Sequence, residues 1–163
     1  MPSHVHVYWL ELSGTPDKTL EVLHRARVSQ KGPHAALLTT CEFGLLPRVL
    51  EYSLLLTFKA FQLQQARART LDLEWLRLLA GTRSIEQALA FTRPSSNQVM
   101  VASSWPLSRE VLAALGKPIP PSQSQRQAWQ AHLAQAYGFP PEAIRTYSLE
   151  DLAIERVVLS LLE

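Results

Sequence analysis

The sequence predicts an α/β fold of the α+β kind: a small central, mainly antiparallel sheet flanked by many helices, in a single domain over residues 1–163. Three observations predict it. Short runs rich in β-branched and aromatic residues alternate with more numerous segments of helical period. Cap and turn residues stand at nearly every junction between them. With 163 residues, 47% of them hydrophobic and 18% charged, the chain can bury one core without disulfide or metal support.

The run from His4 to Leu12, rich in Val, Tyr and Trp, reads as a strand that stops at Ser13-Gly14. Thr15-Pro16-Asp17 opens a helix carrying Leu20, Leu23 and Val28, which Gly32-Pro33 ends. Ala35 to Thr40 is a second short strand with Cys41 at its end. Leu46 to Gln65 reads as the central helix, with Pro47 acceptable in the first turn and apolar residues around much of its circumference. Beyond Arg93-Pro94-Ser95-Ser96-Asn97, a loop, Gln98 to Ser103 is a third strand. Ser108 caps a helix that reaches Leu115 and is closed by Gly116. Lys117 to Ser124 is a proline-rich connector, and Gln125 to Tyr137 a helix that packs by one side and ends at Gly138. Pro140-Pro141 begins a short helical turn. Ser148 with Asp151 has capping-box spacing, and the last helix runs from there to the end of the chain.

The segment from Arg67 to Leu89 organises the rest. Leu71, Trp75, Leu78 and Leu79 recur at helical spacing as one apolar face, and Gly81 supplies the left-handed residue that ends such a helix. Ser84, with Gln87 three residues on, then caps a second helix that begins a new apolar stripe at Ile85, Ala88 and Leu89. Between Lys59 and Arg83 lie five cations (Lys59, Arg67, Arg69, Arg77, Arg83) and two anions (Asp72, Glu74), on a chain whose formal net charge is only +2. The basic excess is therefore local. It reads either as a solvated helix face, with Arg stems covering apolar neighbours, or as an anion-binding corner beside a helix N-terminus.

No catalytic motif stands out. Gly116-Lys117 is followed by Pro118 and lacks the upstream glycines of a phosphate loop, and no G-x-S-x-G elbow is present. Asp72 and Glu74 point different ways on a helix and cannot act as a pair. His4 and His6 share a strand face, but two His without further ligands are a weak metal signal. Cys41 is the single cysteine, which excludes an internal disulfide framework. It reads as a reactive thiol or as a small buried apolar residue. The N-terminal MPSHVHVYWLELSG lacks the features of a signal peptide, and the longest apolar run, Ser53 to Phe61, is cut by Lys59. A cytoplasmic protein without membrane contact is expected. In the last helix, Ile154, Val157, Val158, Leu161 and Leu162 form one stripe, with Leu152 and Leu159 beside it. The second line reads as contact with another molecule, as burial on both sides, or as a strand through VVLSLL.

The run LEWLRLLAGTRSIEQAL resembles a segment of the small kinase-binding subunit of the KEOPS complex, the PRPK-binding, TPRKB-like family, which reads E-x-L-x-x-x-x-G-x-R-Q-I-x-x-A-[IL]. Glu74, Leu76, Gly81, Arg83, Ile85, Ala88 and Leu89 occupy its positions. The closing DLAIERVVLSLLE is similar to the family's E-R-[VI]-[AV]-L-x-x-L-E. Ser84 departs from the family's Gln, and Arg48 from a frequent His. The resemblance implies a non-catalytic accessory subunit that binds the complex's atypical kinase and recruits tRNA by its 3′ CCA end for threonylcarbamoyladenosine synthesis. It also implies indirect association with the threonylcarbamoyl-transferase subunit, and no cofactor of its own. On this reading Lys59, Arg67, Arg69 and Arg83 contact phosphates, Ser84 stands beside them, and Ile85 with the corner backbone shapes the pocket. Ile154, Val157, Val158 and Leu161 meet the kinase. The competing classes are a small-molecule enzyme centred on Cys41 or a His, and a scaffold protein unrelated to RNA.

Overall fold

The computed structural model describes residues 4–162. Among them it holds an antiparallel four-stranded sheet in the order β2-β3-β1-β4, surrounded by helices, so the fold is α+β. The strands are β1 (His6–Leu12), β2 (Ala36–Thr39), β3 (Gln98–Ser103) and β4 (Gly116–Pro118). The helices are α1 (Pro16–Val28), α2 (Pro47–Gln62), α3 (Leu71–Ala80), α4 (Ile85–Thr92), α5 (Arg109–Leu115), α6 (Gln123–Tyr137), α7 (Pro141–Thr146) and α8 (Leu149–Leu162). A 3-10 turn at Cys41–Leu45 joins β2 to α2.

Both faces of the sheet are covered, because successive residues of a strand point to opposite sides. Leu37, Met100 and Ala102 face a larger core built with α2, α3, α6 and α8, and Val7 and Trp9 pack against it. Leu10, Leu12, Val99 and Val101 face a smaller one built with Leu23 of α1 and Leu115 of α5. β3 pairs with β1 from His6↔Ser103 to Glu11↔Gln98, and with β2 from Ala36↔Ser103 to Thr39↔Met100.

Strand β4 starts at Gly116, expected to close the preceding helix, and runs into the expected proline-rich connector. Its three residues pair with β1 through Leu10↔Pro118, Glu11↔Lys117 and Leu12↔Gly116. A strand of three residues that itself ends in a proline shows no periodicity. Pro118 is admissible there because an edge strand can spare an amide donor. Gly116 is required by proximity, since a Cβ on it would collide with the carbonyl oxygen of Glu11. Helix α6 begins two residues earlier than expected. Ser122 and Gln125 form the reciprocal capping box, with Ser122 Oγ accepting from Gln125 N and Gln125 Oε1 accepting from Ser122 N.

The enclosed helix is α3 and not α2. Every residue from Glu74 to Ala80 is buried, whereas Leu55 on α2 is exposed. Trp75, fully buried, locks α3 to α2 by donating its indole N–H to Leu50 O (3.1 Å) and Ser53 Oγ (3.0 Å). From the other side Tyr137 of α6 donates its hydroxyl to Leu79 O (2.8 Å). The expected single apolar face of α3 is thus an apolar circumference, and the two charged residues within it go into the interior.

Gly81 closes α3 at φ 68°. A side chain there would strain the backbone by about 1–2 kcal/mol. It would also meet the aliphatic stem of Arg156 from α8. Gly81→Ala is therefore expected to lower thermal stability by more than that backbone cost, measurable by calorimetry, while Gly138→Ala, equally left-handed at φ 77° but with open space around it, loses the backbone share alone.

Candidate nucleic-acid interface

The cations of the corner lie at both ends of α3 and not at a single bend. Arg67 and Arg69 belong to the loop that enters the helix, where Thr70 Oγ1 accepts from Leu73 N as N-cap. Arg83 follows its C-terminus, next to Ser84, whose Oγ accepts from Gln87 N at the start of α4. Ten residues at 1.5 Å rise put the two groups about 15 Å apart along the axis. Lys59, Arg67, Arg69 and Arg83 are all exposed. Among the described residues, neither Lys59 nor Arg69 makes an ion pair.

Arg77, counted with them in the sequence, is not a surface cation. Its side chain is 3% exposed and that of Glu74 1%, and the two form a two-pronged ion pair: Nε to Oε1 at 2.9 Å and Nη2 to Oε2 at 2.8 Å. Glu74 Oε1 also accepts from the amides of Arg67 (3.3 Å) and Ala68 (3.1 Å). Arg77 Nη1 donates to Thr82 O (3.0 Å), and Thr82 Oγ1 donates to Ser84 O (3.0 Å). The buried pair therefore holds the loop before α3 and the loop after it at once. This is the part of the site that reading the sequence missed. A signal was present, for Glu and Arg at (i, i+3) in a helix apolar on all sides must be paired if they are buried. Asp72 is likewise committed elsewhere, accepting from Arg27 Nη1 (2.8 Å) and from the amide of Ala36 (2.9 Å). Burial pushes its carboxyl pKa up, while the Ala36 amide and Arg27 pull it back.

Beside the pair opens a cavity of about 370 Å³ lined by Lys59, Arg67, Glu74, Arg77, Ser160 and Leu161, together with aliphatic groups of α2. Lys59 and Arg67 thus share one pocket. Arg69, Arg83, Ser84 and Ile85 do not line it, and Ile85 is half-buried at the first turn of α4.

The four residues of the last helix expected to meet a partner divide. Val157 is fully buried in the larger core and Ile154 packs against that core, so the expectation for Val157 is corrected: it anchors α8 to its own domain. Val158 and Leu161 are exposed, at 36% and 43%, and continue into exposed Leu159 and Leu162. Leu161 adjoins the basic cavity, so the two candidate surfaces are neighbours.

The segments that carry the resemblance, far apart in sequence, also meet. The stem of Arg156 lies over Gly81, and its guanidinium donates to Tyr137 O (3.0 Å) and sits 5.5 Å from the Phe139 ring centroid. No family model and no curated protein matches the chain.

Cys41 is buried, its thiol pKa pushed up to about 11 by burial and by the neighbouring Glu42 carboxylate. The thiolate is the nucleophile, so this side chain is inert at neutral pH. Thiol reagents are expected to label native protein at pH 7 far more slowly than denatured protein. Because the folded pKa exceeds the ordinary value of 9.0, this thiol's contribution to stability is complete below pH 9 and declines as pH rises towards 11. Cys41→Ala should flatten that alkaline decline. Among the described residues no three His, Cys, Asp or Glu side chains are grouped to hold a metal, and no helix is long and apolar enough to cross a membrane.

Proposed function

We propose that this protein is a non-catalytic accessory subunit of a KEOPS-type complex, binding the atypical kinase through α8 and a tRNA 3′ end through the basic surface around α3. The observation that carries the reading is the convergence of the two motif segments: Gly81 under Arg156, and Glu74 and Arg77 in one cavity with Ser160 and Leu161. Gly81 and Arg156, which match one family's pattern in two distant stretches, are neighbours here, and the segments that carry them line a common cavity.

The chemistry suits an unpaired strand. Exposed cations on loops at the two ends of α3, ends that are about 15 Å apart along the axis, suit phosphates of a few nucleotides. The cavity between Lys59 and Leu161 has the small volume and mixed polar and aliphatic lining that a single nucleotide needs, at the low end of the roughly 300–1,000 Å³ of small-ligand pockets. Val158, Leu159, Leu161 and Leu162 offer the kinase an apolar ridge beside that cavity. The kinase and the transferase subunit would supply ATP and metal, and this chain would position the tRNA for threonylcarbamoyladenosine synthesis in the cytoplasm.

The test is purification of the tagged protein from its native cell. The reading predicts that a small atypical kinase and a threonylcarbamoyl-transferase subunit come down with it in stoichiometric amount. Recovery of the protein alone, or with unrelated partners only, contradicts it.

A further inference from the structure

Beyond the side chains that would touch RNA, we infer that the buried Glu74–Arg77 pair is a positioning element that fixes the two basic loops relative to one another and so creates the RNA-binding geometry. The inference rests on the RNA-binding reading above for its consequence, but not for the geometry itself.

Burying a carboxylate and a guanidinium is costly, and an apolar pair of similar volume is often as stable or more so. Core stability alone therefore does not call for charge at these two positions. What an apolar pair cannot do is bond to backbone on both sides. Glu74 Oε1 receives the amides of Arg67 and Ala68, which fixes the loop carrying Arg67 and Arg69. Arg77 Nη1 reaches Thr82 O, which fixes the turn carrying Arg83. The two-pronged contact between the partners makes their mutual orientation rigid, so the loops are held through a single joint. Surface cations on two separate loops gain from such pre-organisation because a flexible pair would lose conformational entropy on every binding event.

This role is separable from a simple charge effect. Replacing Glu74 and Arg77 together removes one negative and one positive charge, so the net charge of the site is unchanged and electrostatics alone predicts little change in RNA binding. Positioning predicts weaker binding.

The experiment compares wild type with the double variant Glu74→Met/Arg77→Met. It measures thermal unfolding, amide exchange at Arg67 and Ala68, and affinity for tRNA with an intact 3′ CCA end across a salt series. The double variant should unfold cooperatively like wild type, exchange its Arg67 and Ala68 amides much faster, and bind tRNA at least tenfold more weakly. A folded double variant with wild-type affinity, or with unchanged exchange at both amides, overturns the inference. If the double variant does not fold, Arg77→Lys decides the matter. It keeps a cation beside Glu74 but lacks the planar fork that reaches Thr82 O at the same time, so severalfold weaker tRNA binding supports the inference and unchanged binding overturns it. If wild type itself retains no tRNA, the proposed function fails, and the exchange rates still decide whether the pair holds the loops.

Discussion

Reversing two charges, Arg69→Glu with Arg83→Glu, is expected to weaken binding of a CCA-ended tRNA by roughly 20-fold or more at about 0.1 M salt. Each single-strand phosphate contact contributes about 0.7 to the slope of log affinity against log salt, so two lost contacts remove about 1.4 from that slope. Extrapolated from 1 M to 0.1 M, that difference alone is a factor of about 25, and the introduced carboxylates add repulsion. Both residues are exposed and belong to loops at opposite ends of α3, so the fold should survive. Filter binding or fluorescence anisotropy over a salt series reads both quantities. Unchanged affinity with an unchanged slope would mean that the RNA does not engage the loops flanking α3.

Adjacent valines of α8 should give opposite phenotypes. Val157 is 0% exposed, among core residues from α2 and α3, and Val157→Asp would place an uncompensated charge in that core. The penalty is several kcal/mol against a typical domain stability of roughly 5–15 kcal/mol, so loss of cooperative unfolding is expected. Val158, at 36% exposure, keeps enough water contact to tolerate Asp with little change in melting temperature. It should nevertheless weaken association with the kinase by about 10- to 100-fold, the equivalent of losing one buried aliphatic side chain from an interface. Circular dichroism and co-purification of the two variants in parallel separate anchoring from docking. If Val158→Asp co-purifies with the kinase as wild type does, the apolar ridge of α8 is not the docking surface.

Local chemistry made much of the fold readable. Gly81 and Gly138 end their helices in the left-handed conformation, and Thr15, Ser84, Ser108 and Ser148 each accept an amide from the first turn of a helix. The three longer strands fall where β-branched and aromatic residues cluster, within two residues at either end. Gly116–Pro118 escaped because a three-residue strand takes its identity from the neighbour it pairs with. The candidate site was legible as composition but not as geometry. Lys59, Arg67, Arg69 and Arg83 are surface cations as their sequence neighbourhood suggests, yet Arg77, of the same residue type and spacing, is interior. Its fate depends on α2, α6 and α8 enclosing α3, which are contacts between distant segments. Val157 and Val158 carry the same lesson, since one residue of helical phase decides which is core.

The most direct measurement is the affinity of the unmodified protein for one tRNA prepared with and without its 3′ CCA, at low and at physiological salt. A single-strand site on the loops flanking α3 predicts retention of the intact molecule, a marked loss of affinity when the three terminal nucleotides are removed, and a salt slope that falls with them. Equal affinity for both forms, or none for either, would contradict the claim that the surface around α3 receives an unpaired nucleic-acid end.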